Sequence, residues 1–188
     1  GVAALILSIN SSQTRVEVYN NLTRGCDKID NVPYDIDKPF GKWSHYNGYG
    51  RVNALNSVRL AAGVDVTPPV INHLNVSSSP STYPTDVVVE ISDQDGAPVP
   101  VSGSNQPKLF YKIKRSTASW TSFDSLCSYS NSGNSFTFRI PSQGWETEVK
   151  YYIRARDITG NENTFPKHAP NAFNLCYFAI GNITKETK

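Results

Sequence analysis

The sequence predicts an α-helical segment followed by an all-β antiparallel sandwich, and three observations carry that division. Up to Gly63, apolar residues recur at three and four positions, the period of an amphipathic helix. Thr67-Pro68-Pro69 is a stiff break through which no helix continues. From Asp65 onward, short runs rich in Val, Ile, Phe, Tyr and Thr alternate apolar with polar residues, as half-buried strands do. The chain has 188 residues, 38% of them apolar and 18% charged, with a net charge of +2. That length admits one domain or two small ones. Ser, Thr and Asn take the place of charged residues, a composition of secreted or cell-surface chains. A small net charge without long basic runs gives no footprint for nucleic acid. No apolar run is long enough to span a membrane.

The helical half divides into three. Val2 to Ile9 is apolar almost all round, which predicts a helix with neighbours on every side. Asn10-Ser11-Ser12 stops it and can supply a cap for a second helix, in which Val16, Tyr19 and Leu22 recur at helical spacing. Asp27 to Tyr49 reads as a loop carrying Pro33, Pro39, Gly41 and Gly48. Val52, Leu55, Val58 and Ala62 then give a third helix, ended by Gly63. Three short helices around so long a loop do not make a domain; a loop of that length implies a framework that holds it. Residues 1–63 therefore read as the tail of a larger domain.

The strand candidates are Val70 to Val76, Asp86 to Ser92, Leu109 to Lys114, Ser135 to Ile140, Val149 to Ala155 and Phe173 to Ile180. Phe136, Phe138 and Ile140 alternate with Thr137 and Arg139, which buries one face and wets the other. Val149, Tyr151, Ile153 and Ala155 alternate likewise with Lys150, Tyr152, Arg154 and Arg156. This number of strands at this spacing points to two packed antiparallel sheets.

Candidate chemistry is sparse. His45 lies beside Trp43 and Tyr46, His73 falls in a strand and His168 in a proline-flanked loop; none is set in a catalytic motif, and each reads as a packing or solvated side chain. Asp93-Gln94-Asp95-Gly96 puts two carboxylates two apart before a glycine, as calcium loops do. The closing Glu is missing, so an Asx-type turn is the main reading, and Asp93 and Asp95 remain the calcium candidates. Trp120, Trp145 and the ten tyrosines offer a carbohydrate platform or, as strand tyrosines usually do, core and interface. Cys26, Cys127 and Cys176 lack metal-binding spacing; Cys127 and Cys176 could pair, or all three could be small buried hydrophobes. Asn10, Asn21, Asn75 and Asn182 lie in glycosylation sequons.

Three segments of the first half resemble the subtilisin-like serine peptidases. Gly1-Val-Ala-Ala-Leu-Ile-Leu-Ser-Ile-Asn10 looks like part of the buried helix that follows that family's catalytic serine. Ser12 to Ile29 is similar to the family's next helix, down to Asp27-Lys28-Ile29. Asn47-Gly48-Tyr49-Gly50-Arg51-Val52-Asn53-Ala54 resembles the closing signature of the catalytic domain, with Gly48, Gly50, Val52 and Asn53 as its structural residues. The resemblance implies that residues 1–63 end a catalytic domain whose serine lies about eight residues before Gly1 and whose other catalytic groups lie further upstream. No catalytic residue is carried onto this chain, which alone is expected to be inactive. Its partners on this reading are the missing N-terminal part of that domain and a peptide or protein substrate.

Residues 66–182 resemble the Ig-like or fibronectin-III-like modules that follow catalytic domains in secreted peptidases. The resembling stretches are Thr67-Pro-Pro-Val70, Phe110-Tyr-Lys-Ile113 and the tyrosine-rich run from Val149 through Asp157-Ile-Thr-Gly-Asn161. Such a module braces, binds substrate or attaches to a surface. The rival expectation is a non-catalytic adhesion module carrying a peptidase remnant.

Overall fold

A computed structural model of the chain describes residues 1–93, 98–171 and 173–181. The chain forms two compact units, Gly1–Val66 and Thr67–Lys188. It is mostly antiparallel β-sheet with three short helices. Among the described residues no helix is long and apolar enough to cross a membrane.

The first unit holds α1 (Val2–Ile9), α2 (Arg15–Arg24), a hairpin of β1 (Ile36–Lys38) and β2 (Gly41–Trp43), and α3 (Ala54–Ala61). The cap of α2 is Thr14, and not one of the polar residues at 10–12 that the sequence offers. A capping box needs Glu three residues on, and Glu17 supplies it: Thr14 Oγ1 accepts from the Glu17 amide while the Glu17 carboxylate accepts from the Thr14 amide. That contact holds the Glu17 carboxyl below its usual range. The helix stops at Arg24, short of the expected Ile29. Gly25 sits so close to α3 that a Cβ there would lie 2.6 Å from Ser57 Oγ and 2.8 Å from the Ser57 amide. The expected long loop carries the β1–β2 hairpin, turned by Gly41 at φ +113. The shared core of this unit is small: Ile6, Val18 and Ala61, with Val2 and Leu22 against them.

The second unit contains β3 (Val70–Asn72), β4 (Thr85–Ser92), β5 (Lys108–Arg115), β6 (Asp124–Cys127), β7 (Ser130–Ser132), β8 (Ser135–Ile140), β9 (Thr147–Arg156), β10 (Glu162–Phe165) and β11 (Cys176–Ile180). One sheet runs β3-β4-β8-β7 and the other β10-β9-β5-β6, all antiparallel. Strand β9 is the hub: its first half also pairs with β11 and its second half with β10. Inward residues of both sheets meet in one core, with Val87, Val89 and Ile91 of β4 and Phe136, Phe138 and Ile140 of β8 on one side. Leu109 and Tyr111 of β5 and Val149, Tyr151, Ile153 and Ala155 of β9 supply the other. The alternation read from residues 136–140 is the burial pattern observed, and that from 149–156 holds except at Tyr152, which Phe110 and Phe123 cover on the outer side.

Phe138 is fully buried in this core, whereas Leu74 is 91% exposed. Phe138→Ala should cost about 3–5 kcal/mol through lost burial and the cavity left behind. Leu74→Ala should stay within about 0.5 kcal/mol. Urea unfolding of both variants checks the contrast.

Candidate functional site

In the first unit the Gly48–Asn53 signature closes on Asp27. The backbones of Asp27 and Arg51 exchange hydrogen bonds of 2.8 and 2.9 Å. Gly50 has φ +119, and a Cβ there would collide with the Asp27 carbonyl oxygen, so only glycine fits. Gly48, at φ +58, exchanges two backbone hydrogen bonds with Ser44 and closes the turn after β2. Asn53 does two jobs. Its Oδ1 accepts from the Asn56 amide at 3.1 Å and so caps α3, while its Nδ2 donates to Asp27 Oδ1 at 3.0 Å. Arg51 donates to the other Asp27 oxygen at 3.3 Å. Lys28 donates to the carbonyls of Lys42 and Tyr49, both at 2.8 Å, pinning the hairpin and the glycine turn to the end of the α2 segment. Partial burial holds its ammonium below the usual lysine range. Val52, by contrast, is 54% exposed.

Apolar surface also stands open on α1 in this unit. Helix α1 buries only Ile6, while Leu5, Leu7 and Ile9 are exposed, at 50, 39 and 52%. The expectation of neighbours on every side of α1 is therefore unmet within the unit.

In the second unit His73 occupies a joint between the two sheets. Its Nδ1 lies 2.8 Å from the Val88 carbonyl of β4, and its Nε2 lies 2.7 Å from the Tyr151 hydroxyl of β9. A carbonyl only accepts, so Nδ1 carries the proton of the neutral ring and Nε2 accepts from Tyr151. The Tyr151 oxygen accepts in turn from the Val76 amide at 3.2 Å. This is why the strand expected over residues 70–76 ends at Asn72. Among the described residues neither His45 nor His73 is hydrogen-bonded to a serine or cysteine; His45 packs edge-on to Trp43.

Asp157 is fully buried and closes the turn after β9. It accepts from Thr159 Oγ1, the Asn161 amide and Asn161 Nδ2 at 2.7–3.0 Å. The Asp-x-x-Gly-Asn spacing marks this Asx-type turn, with Gly160 at φ +90. Carboxylate oxygens of Asp93 and Asp157 lie within 4.8 Å of each other. Asp95 and the Asn182 sequon lie outside the described residues.

The cysteines are free thiols. Cys127 on β6 and Cys176 on β11 are separated in their sheet by β5 and β9. Three interstrand steps of about 4.8 Å exceed the reach of a disulfide, which removes that pairing. Burial pushes the Cys176 thiol up to about 11. Trp120 offers no open platform, because the Lys112 and Lys150 ammonium groups sit over its ring. The Asn21 sequon is closed as well: Asn21 is buried and donates to Gln13 at 2.9 Å.

Two outcomes follow from these contacts. Gly50→Ala should destabilise the first unit by at least about 1–3 kcal/mol, since it adds backbone strain to a steric clash. Its thermal melting should fall well below that of the exposed substitution Lys42→Ala. His73 is held below its usual pKa chiefly by burial, with its hydrogen bond to Val88 opposing. A depressed base binds fewer protons folded than unfolded. Stability is therefore intact above about pH 6.5 and is lost as pH falls below it, towards the folded pKa. Urea midpoints between pH 7.5 and 5 should drop for the natural chain and drop less for His73→Gln.

No protein-family model matches the chain. It is 44% identical over 68 residues to calcium-dependent proteases of Trichormus variabilis and of a Nostoc species, which covers 36% of this chain and 10% of each relative. The match thus spans about a tenth of the length of those curated relatives. Among solved structures, the trigonal form of titin M4 covers 63% of this chain and 98% of its own at 13% identity, with a TM-score of 0.31. The partial similarity to the two proteases links this chain to proteases.

Proposed function

We propose that residues 1–63 form the closing segment of a subtilisin-like serine peptidase domain, and that the two-sheet unit is an Ig-like or fibronectin-III-like appendage of that secreted peptidase. The observation that carries this reading is the 44% identity to two proteases over 68 residues. The exposed apolar surface of α1 supports it, since Leu5, Leu7 and Ile9 need a cover of the kind a catalytic domain provides. The Asp27–Gly50–Asn53 tie supports it too, because it gives the closing signature a structural task without a catalytic one.

On this reading the catalytic serine, histidine, aspartate and oxyanion donors belong to the parent protein. Their chemistry is serine attack on the peptide carbonyl, proton transfer through histidine and stabilisation of the oxyanion. The present chain contributes the end of the scaffold beneath that machinery. Calcium enters through the names of the relatives. Here the fitting donors are the carboxylates of Asp93 and Asp157, two of the six to eight oxygens that calcium takes.

The coding region upstream of Gly1 tests the proposal directly. It should carry Gly-Thr-Ser about eight residues before Gly1, with histidine and aspartate motifs beyond. Unrelated sequence there transfers the reading to a binding module. The parent protein should cleave casein and lose that activity to a sulfonyl fluoride, which sulfonylates the reactive serine with loss of fluoride; the 188-residue chain alone should cleave nothing. Millimolar calcium should raise the melting temperature of this chain, and Asp93→Asn should abolish the rise. An unchanged melting curve assigns any calcium requirement to the rest of the protein.

A further inference from the structure

The outer face of the β5–β9 pair concentrates positive charge that the whole-chain balance hides. Alternation sends Lys108, Phe110, Lys112 and Lys114 outward from β5, and Glu148, Lys150, Tyr152, Arg154 and Arg156 outward from β9. The register sets these residues in cross-strand rungs: Lys108 with Arg154, Phe110 with Tyr152, Lys112 with Lys150, and Lys114 with Glu148. Two rungs therefore join cation to cation. Like charges directly opposite each other destabilise a sheet.

The charge is not neutralised from within. Lys114 pairs with Glu148 at 3.2 Å and closes one end of the strip. Arg156 pairs with Glu162 of β10 at 2.6 Å and closes the other. Between them Arg154 reaches Glu162 only at 3.8 Å. Lys108, Lys112 and Lys150 take no carboxylate partner among the described residues. Aromatic rings hold the heads in place. The Lys112 ammonium lies 4.9 Å from the Phe123 ring centre and 5.6 Å from that of Trp120, and the Lys150 ammonium lies 4.8 Å from Trp120. The Arg154 guanidinium lies 4.8 Å from the Phe110 centre. Cations held in this way lose less freedom when an anion arrives, so less of the binding energy goes into ordering them.

The same contacts discriminate between classes of anion. Phe110 and Tyr152 stack on each other at 4.8 Å and 7°, with Arg154 over Phe110 and the edge contact of Phe123 at Tyr152. Ring faces that stack on side chains leave little platform for bases, on which single-stranded nucleic acid depends. The strip instead offers paired cations at two levels with an aromatic rung between. Four residues of strand separate Lys108 from Lys112, a spacing of about 13 Å at 3.3 Å per residue. An extended peptide lying along β5 has the same rise. Acidic side chains at i and i+4 would meet the two cationic rungs, and an apolar side chain at i+2 would meet the half-buried Phe110 between them.

We propose that this face docks an acidic protein segment in extended conformation, with carboxylates four residues apart around an apolar residue. The proposal rests on the second unit alone and not on the peptidase reading.

The test is fluorescence anisotropy of the full chain with a labelled peptide that repeats glutamate at i and i+4 around phenylalanine at i+2. The peptide should bind, and its affinity should fall steadily with added salt. Lys112→Gln/Lys150→Gln should weaken binding at least tenfold while leaving the melting temperature equal or higher, because it removes a like-charge rung. Lys42→Gln, in the first unit, should leave binding unchanged. A peptide of the same composition with glutamates at i and i+3 should bind several-fold more weakly. Should the double variant not fold, Lys108→Gln, which removes the facing rung, is expected to weaken binding and takes its place. Undiminished binding by the folded variant overturns the assignment, as does equal binding of the i, i+3 peptide. Tighter binding of oligo-dT or dextran sulfate than of the peptide overturns the protein occupant in favour of those polyanions.

Discussion

The two-residue period of β5 and β9 is the constraint on which most of the second unit depends. Every inward residue of β9 from Val149 to Ala155 enters the shared core, and every outward one meets solvent, a cation or an aromatic ring. A slip of one residue would send Lys150, Tyr152 and Arg154 inward and Val149, Tyr151 and Ile153 outward. Burying an unpaired ammonium costs far more than any contact it could gain inside, so the register is held by charge as firmly as by apolar burial. Tyr151 adds a polar check. Its hydroxyl lies in the interior and is satisfied only where His73 and Val76 meet it, and burial raises its pKa. The two sheets are thus aligned by a hydrogen-bonded joint as well as by packing.

The first unit is held differently. Its core of Ile6, Val18 and Ala61 is too small to order three helices of eight to ten residues, which are marginal in water on their own. Polar closure supplies part of the difference. Asp27, Lys28 and Asn53 each bond two separate segments, so the end of α2, the hairpin, the glycine turn and α3 form one connected set. Removing Asn53 leaves a part-buried amide and carboxylate short of a partner, at about 1–3 kcal/mol, whereas the bonds of Lys28 are exposed and water replaces them. That network fixes the shape of the unit but leaves α1 with apolar surface on offer.

What could be read beforehand follows from where each signal is stored. The long strands announced themselves because side-chain period and burial coincide, as at Phe136, Phe138 and Ile140. The short strands β6, β7 and β10 did not. Asp124–Cys127, Ser130–Ser132 and Glu162–Phe165 are brief and mostly polar, and they exist because a neighbour offers unpaired backbone groups. The ends of α2 were misplaced for a related reason. Its start is set by the Thr14–Glu17 reciprocity, a local signal available in the sequence, but its stop is set by contact of Gly25 with Ser57, a tertiary fact. Gly50 and Asn53 were recognisable as structural residues, whereas their partner Asp27 was visible only as part of a helix end. The Asp157 turn was legible as a motif, but its approach to Asp93 joins two distant loops that no local spacing encodes.

The cationic strip shows how composition can mislead. A net charge of +2 without a basic run argues against a charged interface when charge is averaged along the chain. A strand averages differently: every second residue faces the same way, so lysines spaced two and four apart on β5 stand in line, and β9 supplies their counterparts across the ladder. The neutralising carboxylates are distributed elsewhere, with Asp86 on the outer face of the other sheet bound to Arg139 at 2.7 Å and Asp27 in the first unit. Near neutrality over the whole chain therefore coexists with one face of uncompensated cations. Solubility tracks the sum, but recognition by a charged partner depends on the arrangement within about a Debye length, roughly 8–10 Å at physiological salt. On that scale the β5–β9 face is basic whatever the rest of the chain carries.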